Sequence, residues 1–172
     1  MFDPTVFENL KVALENQLYD LDNLAGRIRI TGRTDRLEMA VMSREFALRF
    51  ELAETDGVWA EIRLQASLQD LAAEILEMPD AMPGCSLILR FGHYVRDIRS
   101  QCKRVEQILQ SIWQSALPPV QTVSFLYGEQ QPELYRNVAE VRFNRQINED
   151  QMEDLPGLIE HVLRSLAELS VV

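Results

Sequence analysis

Lysine is almost missing from this sequence: Lys11 and Lys103 are the only two, and every other basic residue is arginine. Acids outnumber bases 27 to 17, for a formal net charge of −10. The excess lies early, with 16 acids and 8 bases in residues 1–80 against 11 and 9 in the remainder. That balance favours solubility and opposes general attraction to nucleic acid or anionic lipid. Cysteine is limited to Cys85 and Cys102, too few for a disulfide framework. The two histidines, His93 and His161, do not form a pair at helical spacing, and no Cys-x-x-Cys occurs, so the common zinc patterns are excluded. None of the seven glycines falls in a dinucleotide fingerprint, a phosphate loop or a Gly-x-Ser-x-Gly elbow. No apolar run approaches the roughly 20 residues that span a bilayer. Met1-Phe2-Asp3-Pro4 lacks the basic-then-apolar layout of a signal peptide, so a cytoplasmic location without membrane contact is expected.

What the chain does contain is alternation. Between residues 46 and 52, Phe46, Leu48, Phe50 and Leu52 alternate with Ala47, Arg49 and Glu51; Val58, Ala60, Ile62 and Leu64 then alternate with Trp59, Glu61 and Arg63. Successive side chains of a strand point to opposite faces, so each run has one apolar and one mostly polar side. Asp56-Gly57 between them supplies turn chemistry, and the stretch reads as an antiparallel hairpin with one buried face.

Around this hairpin the other elements follow from spacing. Asp3-Pro4 starts a helix whose Phe7, Leu10, Leu14, Leu18 and Leu21 recur at threes and fours, closed by Gly26. Residues 27–33 read as a strand, Thr34-Asp35 as a turn, and 37–42 as a second strand with Leu37, Met39 and Val41 on one face. A helix over residues 35–50 is the rival reading, set aside because the alternation from Phe46 is unbroken. Ser67 and Asp70 form a capping box for a short helix with Leu68, Leu71, Ala72, Ile75 and Leu76 as its apolar stripe. A loop with two prolines, a strand over 86–92 and a long helix over 94–115 follow, the last seamed by Val95, Ile98, Cys102, Val105, Leu109 and Ile112. Strands over 120–127 and 137–147 are joined through residues 128–132. Asn148 with Gln151 caps a final helix that Pro156-Gly157 divides, leaving Ile159, Val162, Leu163, Leu166 and Leu169 as its buried stripe. With hydrophobic residues at 47%, the 172-residue chain is globular and long enough for a real core. The reading is one α+β domain over residues 1–172: an antiparallel sheet of about five to seven strands packed by N-terminal, middle and C-terminal helices.

Few residues point to chemistry. A thiolate at Cys85 activated by His93 would need the two to meet; a small apolar cysteine opening a strand is the simpler account. Glu149, Asp150, Glu153 and Asp154 flank a helix start, where carboxylates suit the dipole without a metal. The Asp20-Leu21-Asp22-Asn23 stretch lacks the glycine and distal glutamate of a calcium loop. Glu51 and Glu61 alternate with Arg49 and Arg63, which reads as cross-strand ion pairs on a solvated face. No catalytic, cofactor or metal residues are assigned. One basic group stands against the acidic whole: Arg90, Arg96, Arg99, Lys103 and Arg104, opposed only by Asp97. It is the candidate site for an anion or an acidic partner.

The opening helix at 7–21, the sheet around 46–64, and the closing strands and helix of 120–169 give an element order that resembles the type III secretion chaperone-like architecture. The likeness lies in that order and in acidity, and this chain departs from it by having four helices. It implies a small cytoplasmic dimer that binds a partner chain and is not an enzyme. The leading expectation is therefore a non-catalytic, chaperone- or adaptor-like protein-interaction module, with a protein partner or a homodimer. A domain that binds a small anionic ligand or nucleic acid through the Arg90 to Arg104 stripe is the first alternative. An enzyme whose groups converge only in space is the second.

Overall fold

Phe7, Leu10, Leu14 and Leu18 line one side of helix α1 (Thr5–Asn23) and are sealed from solvent, as their spacing requires. A computed structural model describes residues 5–128 and 133–172, so the Asp3-Pro4 helix start and most of the 128–132 connection lie outside the described residues. After α1 come strands β1 (Ile28–Glu38), β2 (Ser43–Leu52) and β3 (Trp59–Ala66), then helix α2 (Leu68–Ile75). Strand β4 (Ser86–Val95), helix α3 (Ile98–Trp113), strands β5 (Val120–Ser124) and β6 (Tyr135–Arg142), a 3₁₀ turn at Glu149–Asp154 and helix α4 (Leu155–Leu169) complete the chain.

The six strands form one antiparallel sheet in the order β1-β2-β3-β4-β6-β5. The expected hairpin is its middle: Phe46 pairs with Leu64, Leu48 with Ile62 and Phe50 with Ala60, around a turn in which Gly57 takes φ +85°. These side chains join Leu87, Leu89 and Phe91 of β4 and Ala139 and Val141 of β6 in a core sealed by α1, α3 and α4. The helices therefore cover one face of the sheet, and the other face remains open. Ile62 is buried among side chains from several elements, so Ile62→Val should cost about 1 kcal/mol, the usual loss for one buried methyl group. Urea unfolding checks this through an unchanged slope and a lower midpoint.

Several features differ from the sequence reading, among them the last two strands, which run Val120–Ser124 and Tyr135–Arg142 and not 120–127 and 137–147. Residues 28–38 are one strand, not two, because Thr34 and Asp35 pair with Ala47 and Phe46 instead of turning. Asp35 is held there by Lys11 at 2.8 Å and Arg44 at 3.3 Å; the turn falls instead at Met39-Ala40-Val41-Met42, where Met42 takes φ +51°. Strand β4 continues through His93, Tyr94 and Val95, and α3 starts only after Asp97, whose carboxylate accepts from the backbone of Arg99 and Ser100. Helix α4 is not divided at Pro156, which sits in its first turn, where a missing N–H breaks no bond. Finally, α2 has the capping box but buries only Leu71 of its stripe fully, leaving Leu68, Ile75 and Leu76 exposed.

Candidate functional site

The basic group read from the sequence is split by the fold. Arg90 lies on the open face of the sheet, whereas Arg99, Lys103 and Arg104 ride on α3, which packs against the opposite face. Arg96 falls in the bend before the helix and so is not part of a helical stripe. Arg96, Arg99, Lys103 and Arg104 are exposed and form no ion pair among the described residues. Arg90 is different: its Nη1 donates to Glu61 at 3.3 Å, and its Nε lies 3.6 Å from Glu140.

Glu61 is the centre of the open face. Arg49 donates to its Oε2 from Nε and Nη2 at 3.2 and 2.9 Å; Arg63 donates to its Oε1 from Nε and Nη2 at 3.1 and 2.7 Å. With Arg90, three guanidiniums from β2, β3 and β4 share one carboxylate whose side chain is 7% exposed. Burial alone would raise the Glu61 pKa, but the charge of Arg63 and the hydrogen bond from Arg49 outweigh it and hold the carboxyl below its usual range. Arg49 also stacks 3.8 Å above the Trp59 ring, and Trp59 lies flat over Gly92, where any Cβ would collide with the indole. The expected cross-strand ion pairs exist, but they form a covered cluster and not a solvated face. Every acid in it is matched by arginine, which makes it a structural clamp across the strands.

The thiol and the imidazoles do not combine. Cys85 and His93 sit eight residues apart along extended chain, a span of about 26 Å at the usual strand rise. Burial, then the charges of Asp70 and Glu74, push the Cys85 thiol up to about 12, so it stays protonated. His93 faces the core and meets Asn137 of β6, whose Nδ2 lies 3.4 Å from the imidazole Nε2; Asn137 also donates to Gln121 of β5 at 2.8 Å, and Gln121 donates to the Cys102 carbonyl of α3 at 2.7 Å. His93 Nδ1 and Asn137 Oδ1 are buried without a partner among the described residues. This chain of amides ties β4, β6, β5 and α3 together.

A groove does open at one end of the sheet. About 550 Å³ lies between the end of β1 and start of β2 (Arg36, Glu38, Arg44, Glu45) and the start of α2 (Ser67, Gln69, Asp70). The lining is polar apart from Ala66, and the chain segments that lead away from it carry exposed apolar side chains: Met39, Val41 and Met42 in the β1–β2 turn, and Leu68, Ile75, Leu76, Met78 and Met82 along and after α2. Met39 is 70% exposed, Leu76 69% and Met82 78%, high values for apolar side chains of this size. Residues 67–84 carry Asp70, Glu74, Glu77 and Asp80 and no basic residue. In the sequence these side chains read as a strand face, a core stripe and a loop. The signal it contained was that pairing of four acids with methionine and leucine, without a single base.

Comparison with protein-family models, with curated proteins and with solved structures finds no match to this chain. Among the described residues no helix is long and apolar enough to cross a membrane.

Proposed function

We propose that the chain is a non-catalytic protein-interaction module of adaptor or chaperone type that docks an amphipathic, basic segment of a partner protein. The observation that carries this reading is the apolar stripe of α2. Its spacing suits burial, yet three of its five members face solvent, and the methionines of the β1–β2 turn are exposed as well. Leaving such area in water is unfavourable by roughly 25 cal/mol per Å², so a partner that covers it gains that energy. Methionine side chains are unbranched and polarizable, and they adapt to differently shaped apolar partners. The surrounding carboxylates select a segment with lysine or arginine beside its apolar residues, in the helix-in-groove manner.

A synthetic amphipathic Leu–Lys peptide tests this, followed through the methionine methyl NMR signals. Met39, Met42, Met78 and Met82 should shift on titration, while Met152, packed against the core, should not. Leu76→Asp should weaken binding about tenfold or more, and rising salt should weaken it further. A Leu–Glu peptide of the same pattern should not bind. Changing Arg96, Arg99 and Lys103 to Glu should leave binding of the Leu–Lys peptide unchanged; a Leu–Glu peptide that binds the wild type and not this folded variant would move the site to α3 and favour the anion-binding alternative. Absence of binding, or shifts confined to Met152, refutes the proposal.

A further inference from the structure

The two edges of the sheet are built differently. The outer strand β1 carries Arg29, Arg33, Asp35, Arg36 and Glu38, and its register is broken by a bulge between Ile30 and Gly32. Charges and bulges on an edge strand discourage another strand from pairing with it. Strand β5, the other edge, has no such protection. Its residues, Val120-Gln121-Thr122-Val123-Ser124, are uncharged, and no charge occurs anywhere between Glu106 and Glu129. The strand bonds to β6 on one side, and its outer side has no backbone partner among the described residues. Phe125, Leu126 and Tyr127, which follow it, are exposed, Tyr127 completely.

We propose that β5 pairs antiparallel with β5 of a second copy across a two-fold axis near Thr122, joining two sheets through one continuous ladder. This inference is independent of the exposed methionines of the β1–β2 turn and of the apolar stripe of α2. Three observations favour a second copy as the occupant. Each chain offers one unprotected edge, so a two-fold pairing consumes both and leaves only the charged, bulged β1 strands outside; assembly therefore closes at two. Two chains of net charge −10 repel one another in general, and this uncharged run is where they meet with least opposition. The exposed area is also adequate. Phe125 and Tyr127 alone offer roughly 300 Å², since aromatic side chains bury about 150–250 Å² each. Leu117, Val120, Leu126 and the strand backbone bring the patch toward the approximately 800 Å² per partner of a stable interface.

Sedimentation equilibrium of the full chain tests the pairing. The wild type should have twice the 19.8 kDa chain mass at tens of micromolar and dissociate on dilution. Thr122 is exposed, so Thr122→Lys and Thr122→Glu should each leave the circular dichroism unchanged and yield monomer, because like charges would face each other across the axis. Mixing the two variants should restore the dimer, as opposite charges then meet. If either variant fails to fold, amide hydrogen exchange on the wild type decides: the amides of Val120–Ser124 that face away from β6 should be protected at high concentration and exchange freely on dilution. A wild type that remains monomeric at tens of micromolar overturns the proposal, as does a dimer that survives both substitutions. Protection of these amides in a monomer carrying another protein's strand would overturn the assignment to a second copy.

Discussion

Glu61→Gln should lower the stability of this protein by about 3 kcal/mol, although Glu61 lies on the open face and not in the core. Removing one member of a covered ion cluster leaves the others without their counter-charge, which typically costs about 3–5 kcal/mol. The lower figure applies because the three guanidiniums retain some contact with water, being 24% to 39% exposed. Glutamine is close in shape to glutamate, so the loss reports charge and hydrogen bonding and not a cavity. Its amide has one acceptor oxygen where the carboxylate has two, and its NH₂ would face guanidinium donors. In a chain of this size the melting midpoint should fall by about 10 °C. Arg29, half-exposed and paired with Glu51 and Asp56, provides the contrast: Arg29→Ala should leave the melting midpoint almost unchanged, because water screens an exposed pair. Adding Arg63→Ala to the Glu61→Gln background should recover part of the loss, a non-additivity seen only between coupled groups. Equal effects of Glu61→Gln and Arg29→Ala would show that water, not Glu61, balances the arginines.

Stability should also fall steeply between pH 6.5 and about 4, with the part above about pH 5 preceding the contribution of carboxylates. Burial pushes the His93 pKa down from 6.5 to about 4. In that window the unfolded chain binds a proton at His93 and the folded chain does not, so stability rises with pH and is lost as pH falls. The two values correspond to about 3 kcal/mol, at about 1.4 kcal/mol per pH unit. The loss should be complete below about pH 4. The geometry supports the direction: His93 Nε2 lies 3.4 Å from the Asn137 Nδ2 donor, and a second N–H there would oppose it. Carboxylates held below their usual range, such as Asp35 and Glu61, act in the same sense but at lower pH, because their contribution is present above the unfolded carboxylate range and is lost beneath it. Urea melts at half-unit intervals of pH distinguish the two. His93→Gln, neutral throughout, should flatten the upper part of the profile whatever its effect on absolute stability. A profile between pH 4.5 and 6.5 that is identical in the variant and the wild type would place the titration elsewhere.

Much of this fold is legible in local spacing. The periods of two and of three to four place Phe46, Leu48, Phe50, Ile62 and Leu64 on one sheet face and Phe7, Leu10, Leu14 and Leu18 on one helix face, because burial of apolar side chains acts through that periodicity alone. The capping box at Ser67 is equally local, since it joins a side chain to a backbone group three residues on; the box at Asn148 also forms, but it opens the 3₁₀ turn Glu149–Asp154 and not the final helix, which has no side-chain cap. What depends on residues distant in the chain is not legible. Asp35 remains in a strand and not a turn because Lys11 and Arg44 reach it, and no window around Asp35 contains Lys11. Arg90 turns to the open face because β4 carries it there, while Arg99 and Lys103, a few positions on, ride a helix against the other face. The apolar stripe of α2 is the sharpest case. Its spacing states that one side of the helix avoids water, but whether that side meets this chain's core or another molecule is decided by where β3 and β4 place it.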